Sequence, residues 1–468
     1  MVQITWSLMH LHIHRMTFAM ALGLFLLMNC PAIAAPDADW SVGVASIRTT
    51  PSKPVPLAGY AARVKPFESV DQDIYAKALV LKDLQGNRAI LVTIDLCIMP
   101  ADMGQVVRKR IAETTHIQPS AILLNVAHSH SAPDVSLDES PGASTSPYHA
   151  ATVEYSKWLC DRLVEVAQQA TAHMKPAKLS WGTGMASFVI NRREFTDKGV
   201  ILGDNPHGMV DRSVPVLRVD GANGKPIAIL FGYACHNTTM PANRLAVSAD
   251  YEGFAREYIQ QQFPGAQAMF ITGCAGDANP YHRNNFELTS EYGQILGKEV
   301  CRVLGTKLQP VRGPLTCAQV TAELPLQTPT RDSLEKIANG PRGLNKDSAK
   351  EMLAILDANK KLSATYAAPV SAWQFGQDLT LIALPDECVV QYVQDIARAV
   401  GHLRLWVSAY NQEVTGYIPS AQILEEGGYE TRGLYIGTGW FAPEVEQTLT
   451  NAAREAAEKA GRHLGDPK

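Results

Sequence analysis

The chain carries no strong excess of charge and no low-complexity tract. Past its first 35 residues it has no apolar run near the ~20 residues needed to cross a bilayer. Its 42 Lys+Arg against 46 Asp+Glu give a net charge of -4, so the basic footprint of a nucleic-acid binder is missing. With 34 Gly and 28 Pro in 468 residues it is not collagen-like, and 46% hydrophobic residues suffice for a full core. It also lacks any C-x-x-C pair. Cys97, Cys160, Cys235, Cys274, Cys301, Cys317 and Cys388 form an odd, scattered set beyond the leader, which excludes a disulfide framework and a zinc knuckle. Buried free thiols are the expectation, with one or two disulfides left open.

What is present begins at the N-terminus. Arg15 precedes the apolar run Met20 to Met28, and Ala32-Ile-Ala34 with Ala35 offers a small-residue cleavage site. This pattern predicts a secretory signal over residues 1–35, with Met16 as an alternative start, and hence a secreted or periplasmic protein. Cys30 suggests a lipoprotein only weakly, because Asn29 is a poor residue before a lipidated cysteine.

Residues 36–468 read as one large α/β domain of mixed (α+β) character, its mixed sheets covered by helices. Hairpins are expected around Gln85-Gly-Asn87 and Gly221-Ala-Asn-Gly224, so the sheet cannot be purely parallel. Further strands are expected at Trp40 to Ile47, Ala121 to Val126, Ala268 to Ile271, Leu315 to Leu324, Ala372 to Trp373, Thr380 to Leu384 and Leu405 to Ser408. Helices are expected at Met103 to Glu113, Thr152 to His173, Ser248 (as N-cap) to Gln262, Leu288 to Leu304, Ser348 to Leu362, Val389 to Val400 and Glu444 to Ala460. Pro329 to Gly343 reads as loop.

Four segments carry chemistry. In Asn125-Val-Ala-His128-Ser-His130-Ser-Ala-Pro-Asp134, the i, i+2 spacing on an extended chain aims two imidazoles to one face. That suits metal binding or acid–base work, although a satisfied surface pair has the same sequence. His236 ends the strand Ile227 to Tyr233 in a similar setting, and ligands from several strand ends converge on one crevice in α/β folds. The turn Gly273-Cys-Ala-Gly276-Asp277-Ala-Asn279-Pro280 permits close backbone approach to a ligand, or is simply tight. Asp386-Glu387 lies between a strand and a helix, where Asp386 could also be an N-cap.

In this order the four segments resemble the catalytic domain of the neutral ceramidases, the neutral/alkaline non-lysosomal zinc amidases. Ala127-His128-Ser-His130-Ser-Ala-Pro133 is similar to that family's T-H-T-H-S-G-P, and His236 followed by Ser248-Ala-Asp250 to its zinc histidine and S-x-D. Gly273 to Pro280 is similar to G-N-A-G-D-V-S-P, Pro385 to Cys388 to P-G-E-F, and Gly416-Tyr417-Ile418 with Tyr429-Glu430 to later family segments. The resemblance implies one Zn²⁺ per chain held by His128, His236, Glu387 and Tyr417. It gives His130 and Tyr429 the roles of polarising the substrate carbonyl and steadying its oxyanion. It also places Arg192 in the site, although a surface arginine would look alike in sequence.

Two departures bear on mechanism. The family's serine in the G-D-x-S-P turn is Asn279 here, which has no hydroxyl to deliver; the expectation is attack by zinc-activated water, with Asn279 donating a hydrogen bond. Full-length family members also append an immunoglobulin-like domain, whereas this chain ends at Lys468. The implied function is cleavage of a lipid amide such as an N-acylsphingosine. Another amide, an ester, a lactone, or a zinc-binding pseudoenzyme remains open. The implied partners are a small-molecule or lipid substrate and peripheral contact with a membrane, with no integral segment after signal cleavage.

Overall fold

The computed structural model describes residues 38–463 except 64, 141–142 and 341–344. The expected signal segment therefore lies outside the described residues. Residues Asp39–Lys468 form one compact unit.

Its centre is a nine-stranded mixed sheet. The order along it is Gln267–Thr272, Pro226–Tyr233, Ser213–Gly221, Lys175–Met185, Trp40–Arg48, Tyr75–Asp83, Arg88–Ile94 and Ile122–Val126, with Gln309–Val311 added beside Lys175–Met185. Both expected hairpins form as antiparallel pairs, whereas the strands at either end join in parallel. Alternating side chains feed two cores, as strand pleating requires. In Pro226–Tyr233, Ile229 and Phe231 pack with Tyr251 and Val300, while Leu230 joins the larger cluster containing Leu124 and Leu163. Each fully buried side chain of this kind contributes ~1.5–3 kcal/mol of transfer free energy.

The two ends of this sheet meet. Thr272 Oγ1 donates to the Val126 carbonyl at 2.8 Å, and Asn125 Oδ1 accepts the Thr272 N–H at 3.0 Å. The sheet has thus curled until its first and last strands are neighbours, which sets the loops after Val126 and Tyr233 side by side. A bridge between Ser129 and Asn237 seals the junction. A four-stranded sheet of Leu315–Pro325, Thr365–Phe375, Leu379–Ala383 and Leu405–Ser408 adjoins it, tied through Asn125 Nδ2 to the Ala409 carbonyl at 2.9 Å.

Several expectations are corrected. Ser248 is not the N-cap: the helix is Asp250–Gln262, and Ser248 Oγ accepts only the Asp250 N–H at 3.0 Å. Asp250 has a left-handed φ of 57°, and its carboxylate instead accepts the Thr239 and Met240 N–H groups. The stretch read as loop holds the helix Arg331–Asn339, N-capped by Thr330, whose short apolar face is Leu334 and Ala338. The strands Lys175–Met185 and Gly199–Asn205 escaped sequence reading because exposed and half-buried residues interrupt their alternation, and Val189–Thr196 because its buried run includes Asn191, Arg192 and Arg193. The seven cysteines are free thiols, five of them buried.

Candidate active site

His128 sits beyond the end of Ile122–Val126, in a loop, with a left-handed φ of 62°. The i, i+2 strand argument therefore reached the right pair for a different reason: the turn at His128, not pleating, brings it to His130. Their Nε2 atoms are 3.1 Å apart. A left-handed conformation at such a residue costs ~1–3 kcal/mol, which the surrounding hydrogen bonds must offset. Asp386 and Tyr410, nearby in the same region, share the feature.

The backbone fixes the tautomers. His128 Nδ1 meets the Cys97 carbonyl at 2.7 Å, and His236 Nδ1 meets the Ala275 carbonyl at 2.8 Å. Carbonyls only accept, so both Nδ1 atoms carry hydrogen and both Nε2 atoms turn toward Glu387. Glu387 Oε2 lies 3.0 Å from His128 Nε2 and 3.1 Å from His236 Nε2. All three side chains are buried. Tyr435 donates to Glu387 Oε1 at 3.0 Å, and Tyr410 to Oε2 at 3.4 Å.

Two imidazole nitrogens and a carboxylate oxygen converging out of water need a shared positive charge. Burial disfavours imidazolium at His128, but Glu387 outweighs it and pushes the pKa up to about 10. Burial and then Arg192 push His236 down to about 3. Glu387 resists burial because the two histidines hold it well below the usual carboxylate range. One proton is thus shared where a divalent cation would compete for the same three atoms, and the donor set of two imidazoles and a carboxylate suits zinc. Cys97, His128 and His130 also cluster. In that cluster Cys97 Sγ faces His128 Nδ1 at 3.9 Å, the nitrogen already bonded to the Cys97 carbonyl, so His128, His236 and Glu387 fit the metal better.

Tyr417 pairs in register with Glu387 through the short parallel bridge of Glu387–Cys388 with Tyr417–Ile418. It is buried and lines the same cavity as His128 and Glu387, with its ring centroid 5.3 Å from the Arg192 guanidinium carbon. Behind it, Arg192 reaches His236 Nε2 at 3.0 Å through Nη1 and Glu430 at 2.8 Å through Nε. It is buried rather than a surface charge. Among the described residues its Nη2 has no protein partner, and neither does His130 Nδ1. Burial and the nearby imidazoles push the His130 pKa well down, so its ring stays neutral.

Tyr429 stacks edge-on to Tyr417 at 5.5 Å and accepts from Arg432 Nη1 at 2.7 Å. A cavity of about 550 Å³ is lined by His128, His130, Glu387, Tyr417 and Tyr429, and also by Tyr60, Arg63, Asp134, Arg432 and Tyr435.

Asn279 is not brought into that wall. Its Oδ1 accepts from Thr238 Oγ1 at 3.5 Å, and its strand Ala278–Pro280 pairs with Val189–Thr196. Gly276 has an unexpected use: a Cβ there would come within 2.5 Å of the Glu387 carbonyl, so this glycine admits the Glu387 segment rather than a ligand. Asp277 ties the same turn to the Val390 N–H at 2.8 Å and to Asn191 Nδ2 at 3.1 Å.

Sequence reasoning missed Tyr435, Glu430's clasp on Arg192, and Gly59. A Cβ on Gly59 would lie 2.4 Å from His130 Cγ, and its φ of +90° also favours glycine. Nothing local marks Gly59. Glu430 was legible only as half of a Tyr-Glu pair.

Residues 40–316 match the family described as neutral/alkaline non-lysosomal ceramidase, N-terminal. The chain belongs to that family. It is 25% identical over 269 residues to neutral ceramidase B of Dictyostelium discoideum and 24% over 254 residues to neutral ceramidase A of the same organism. Those matches take in 53% and 51% of this chain but 36% and 34% of the relatives, so the chain spans about a third of their length. The fold is that of the neutral ceramidase from Pseudomonas aeruginosa, with a TM-score of 0.67 at 17% identity over 91% of this chain and 75% of that one. Glu387, Tyr417 and Tyr429 all lie beyond the family match, which ends at residue 316.

Proposed function

We propose that this protein is an exported zinc-dependent hydrolase that cleaves an amide bond, ceramidase-like in taking an N-acylsphingosine or a related lipid amide. The observation that carries the reading is the convergence of His128 Nε2 and His236 Nε2 on Glu387 Oε2 at 3.0 and 3.1 Å, with His128 and Glu387 in the wall of a cavity and His236 buried behind them. Family membership and the implied ligand set support it. Export rests on the leader pattern in residues 1–35. No described helix is long and apolar enough to cross a membrane, so a lipid substrate would be met by peripheral contact.

His128, His236, Glu387 and Tyr417 would hold one zinc ion, which when bound acts as a Lewis acid and makes water nucleophilic near neutral pH. The chain's own groups then divide the work. Backbone carbonyls keep both ligand histidines in the Nδ1–H tautomer, and Tyr435 and Tyr410 orient Glu387. Tyr429 in the cavity wall, and Nη2 of the buried Arg192 behind it, would donate to an oxyanion as it forms. Neutral His130 can accept a proton from the attacking water or polarise the carbonyl. Asn279 supplies no nucleophile.

The test is a panel of N-acylsphingosines, simpler N-acyl amines, esters and lactones with the purified protein, as isolated, stripped by chelator and restored with zinc. Amide cleavage that disappears on stripping and returns with zinc is the expected result. Metal-independent cleavage, or a zinc-loaded protein inert toward the whole panel, would overturn the reading.

A further inference from the structure

Arg432 stands in the wall of the cavity that holds the histidine–carboxylate cluster, half-buried, in the single turn Tyr429–Arg432. A guanidinium carries five N–H donors in a planar fork. One is spent on the Tyr429 hydroxyl at 2.7 Å, and the guanidinium carbon lies 4.9 Å from that ring's centroid. Glu430, the carboxylate nearest in sequence, is already taken by Arg192 at 2.8 Å and Arg193 at 2.7 Å. Among the described residues, Arg432 has no carboxylate within ion-pair distance.

No other group of the wall pairs with that charge. Arg63 is a second cation, but its N–H groups are committed to the Ala242 carbonyl at 2.7 Å and to the His130 carbonyl. It adds positive potential without offering donors. Of the two carboxylates, Glu387 is occupied by His128, His236 and tyrosines. Asp134 accepts the Val135 N–H at 3.0 Å and, among the described residues, forms no ion pair with either arginine. An open cavity with an arginine in its wall that no carboxylate pairs favours a negative ligand, and a divalent cation in the cluster would strengthen that preference.

We infer that the amide cleaved at this site carries a carboxylate, as an N-acylated amino acid does, and that Arg432 grips it beside Tyr429. This rests on the amide-hydrolase reading above and narrows its substrate from the uncharged N-acylsphingosines to related lipid amides that carry a carboxylate. Arginine suits the task because its fork meets a carboxylate with two parallel hydrogen bonds, which a lysine cannot reproduce. The residue is then a specificity determinant: one N–H steadies Tyr429, and the others hold the substrate.

The experiment pairs N-acylglycine with N-acylethanolamine of the same acyl chain, so that the two differ in charge and little in size. The zinc-loaded wild type should favour N-acylglycine in kcat/KM by roughly tenfold to hundredfold, the scale of a charge-assisted hydrogen bond. In Arg432→Gln that ratio should fall toward one, and in Arg432→Lys it should be intermediate. Calorimetric titration of zinc-stripped protein with N-acylglycine provides a readout independent of turnover, with binding at least tenfold weaker in Arg432→Gln. Equal cleavage of the two amides by the wild type, or a preference that survives Arg432→Gln, would overturn the inference while leaving amide hydrolysis standing. If neither amide is cleaved, the hydrolase reading fails, and the titration alone decides whether Arg432 binds carboxylates.

Discussion

Nη1 of Arg192 lies 3.0 Å from Nε2 of His236, the nitrogen assigned to the metal. A cationic N–H thus donates to the lone pair that a cation would take, and a bound zinc must displace it. Glu430 holds the other side of the guanidinium at 2.8 Å, so the arginine can release His236 without leaving the site.

Arg192→Ala should therefore keep zinc, with affinity unchanged or higher, while losing kcat. Removing one oxyanion donor costs about 10²–10³-fold in rate. Elemental analysis beside steady-state kinetics separates the two effects. Loss of the metal in this variant would make Arg192 a support for the ligand shell and not a donor to substrate.

The two histidines of the His128-Ser-His130 segment should behave differently. His236→Ala and His128→Ala are expected to strip zinc and activity together, because each removes a nitrogen within about 3 Å of Glu387 Oε2. His130→Ala should retain one zinc per chain and lose much of its kcat. If His130→Ala lost metal to the same extent as His128→Ala, His130 would be a ligand.

Asn279 offers a kinetic test. A serine nucleophile would build up an acyl-enzyme, whereas direct attack by water leaves none, so no pre-steady-state burst is expected. Because the side chain bonds Thr238 and does not line the cavity, Asn279→Ala should cost one hydrogen bond's worth of rate at most, about tenfold. A trapped acyl adduct on the wild type would refute direct attack.

Away from the site, Lys77 makes stability depend on pH. Its ammonium is buried between the Ala268 carbonyl at 2.8 Å and Gln260 at 3.1 Å. Burial, followed by repulsion from Arg256, lowers its pKa from 10.5 to about 7. Between those values the unfolded chain binds this proton and the folded chain does not, so stability rises with pH through that window. The slope from this group is at most ~1.4 kcal/mol per pH unit. Urea denaturation of Lys77→Met against wild type from pH 7 to 10 should show the variant with the flatter dependence, and equal slopes would contradict the assignment.

Local pattern was enough to determine the hairpins, the principal helices and the order of the chemical segments, because strand alternation, turn glycines and helical periodicity are properties of neighbouring residues. The joint spacing of His128, His236, Glu387 and Tyr417 was legible as a family resemblance. Their geometry was not. His128 and His236 follow strands at or near opposite ends of the sheet order, and they meet because accumulated twist brings Thr272 against Val126. Glu387 faces Tyr417 because a two-residue parallel bridge joins distant loops. The tautomers are set by the carbonyls of Cys97 and Ala275, which no side-chain pattern announces. Pairwise spacing in the chain fixed which groups were available; the curl of the sheet and the backbone acceptors behind it decided which atoms face one another.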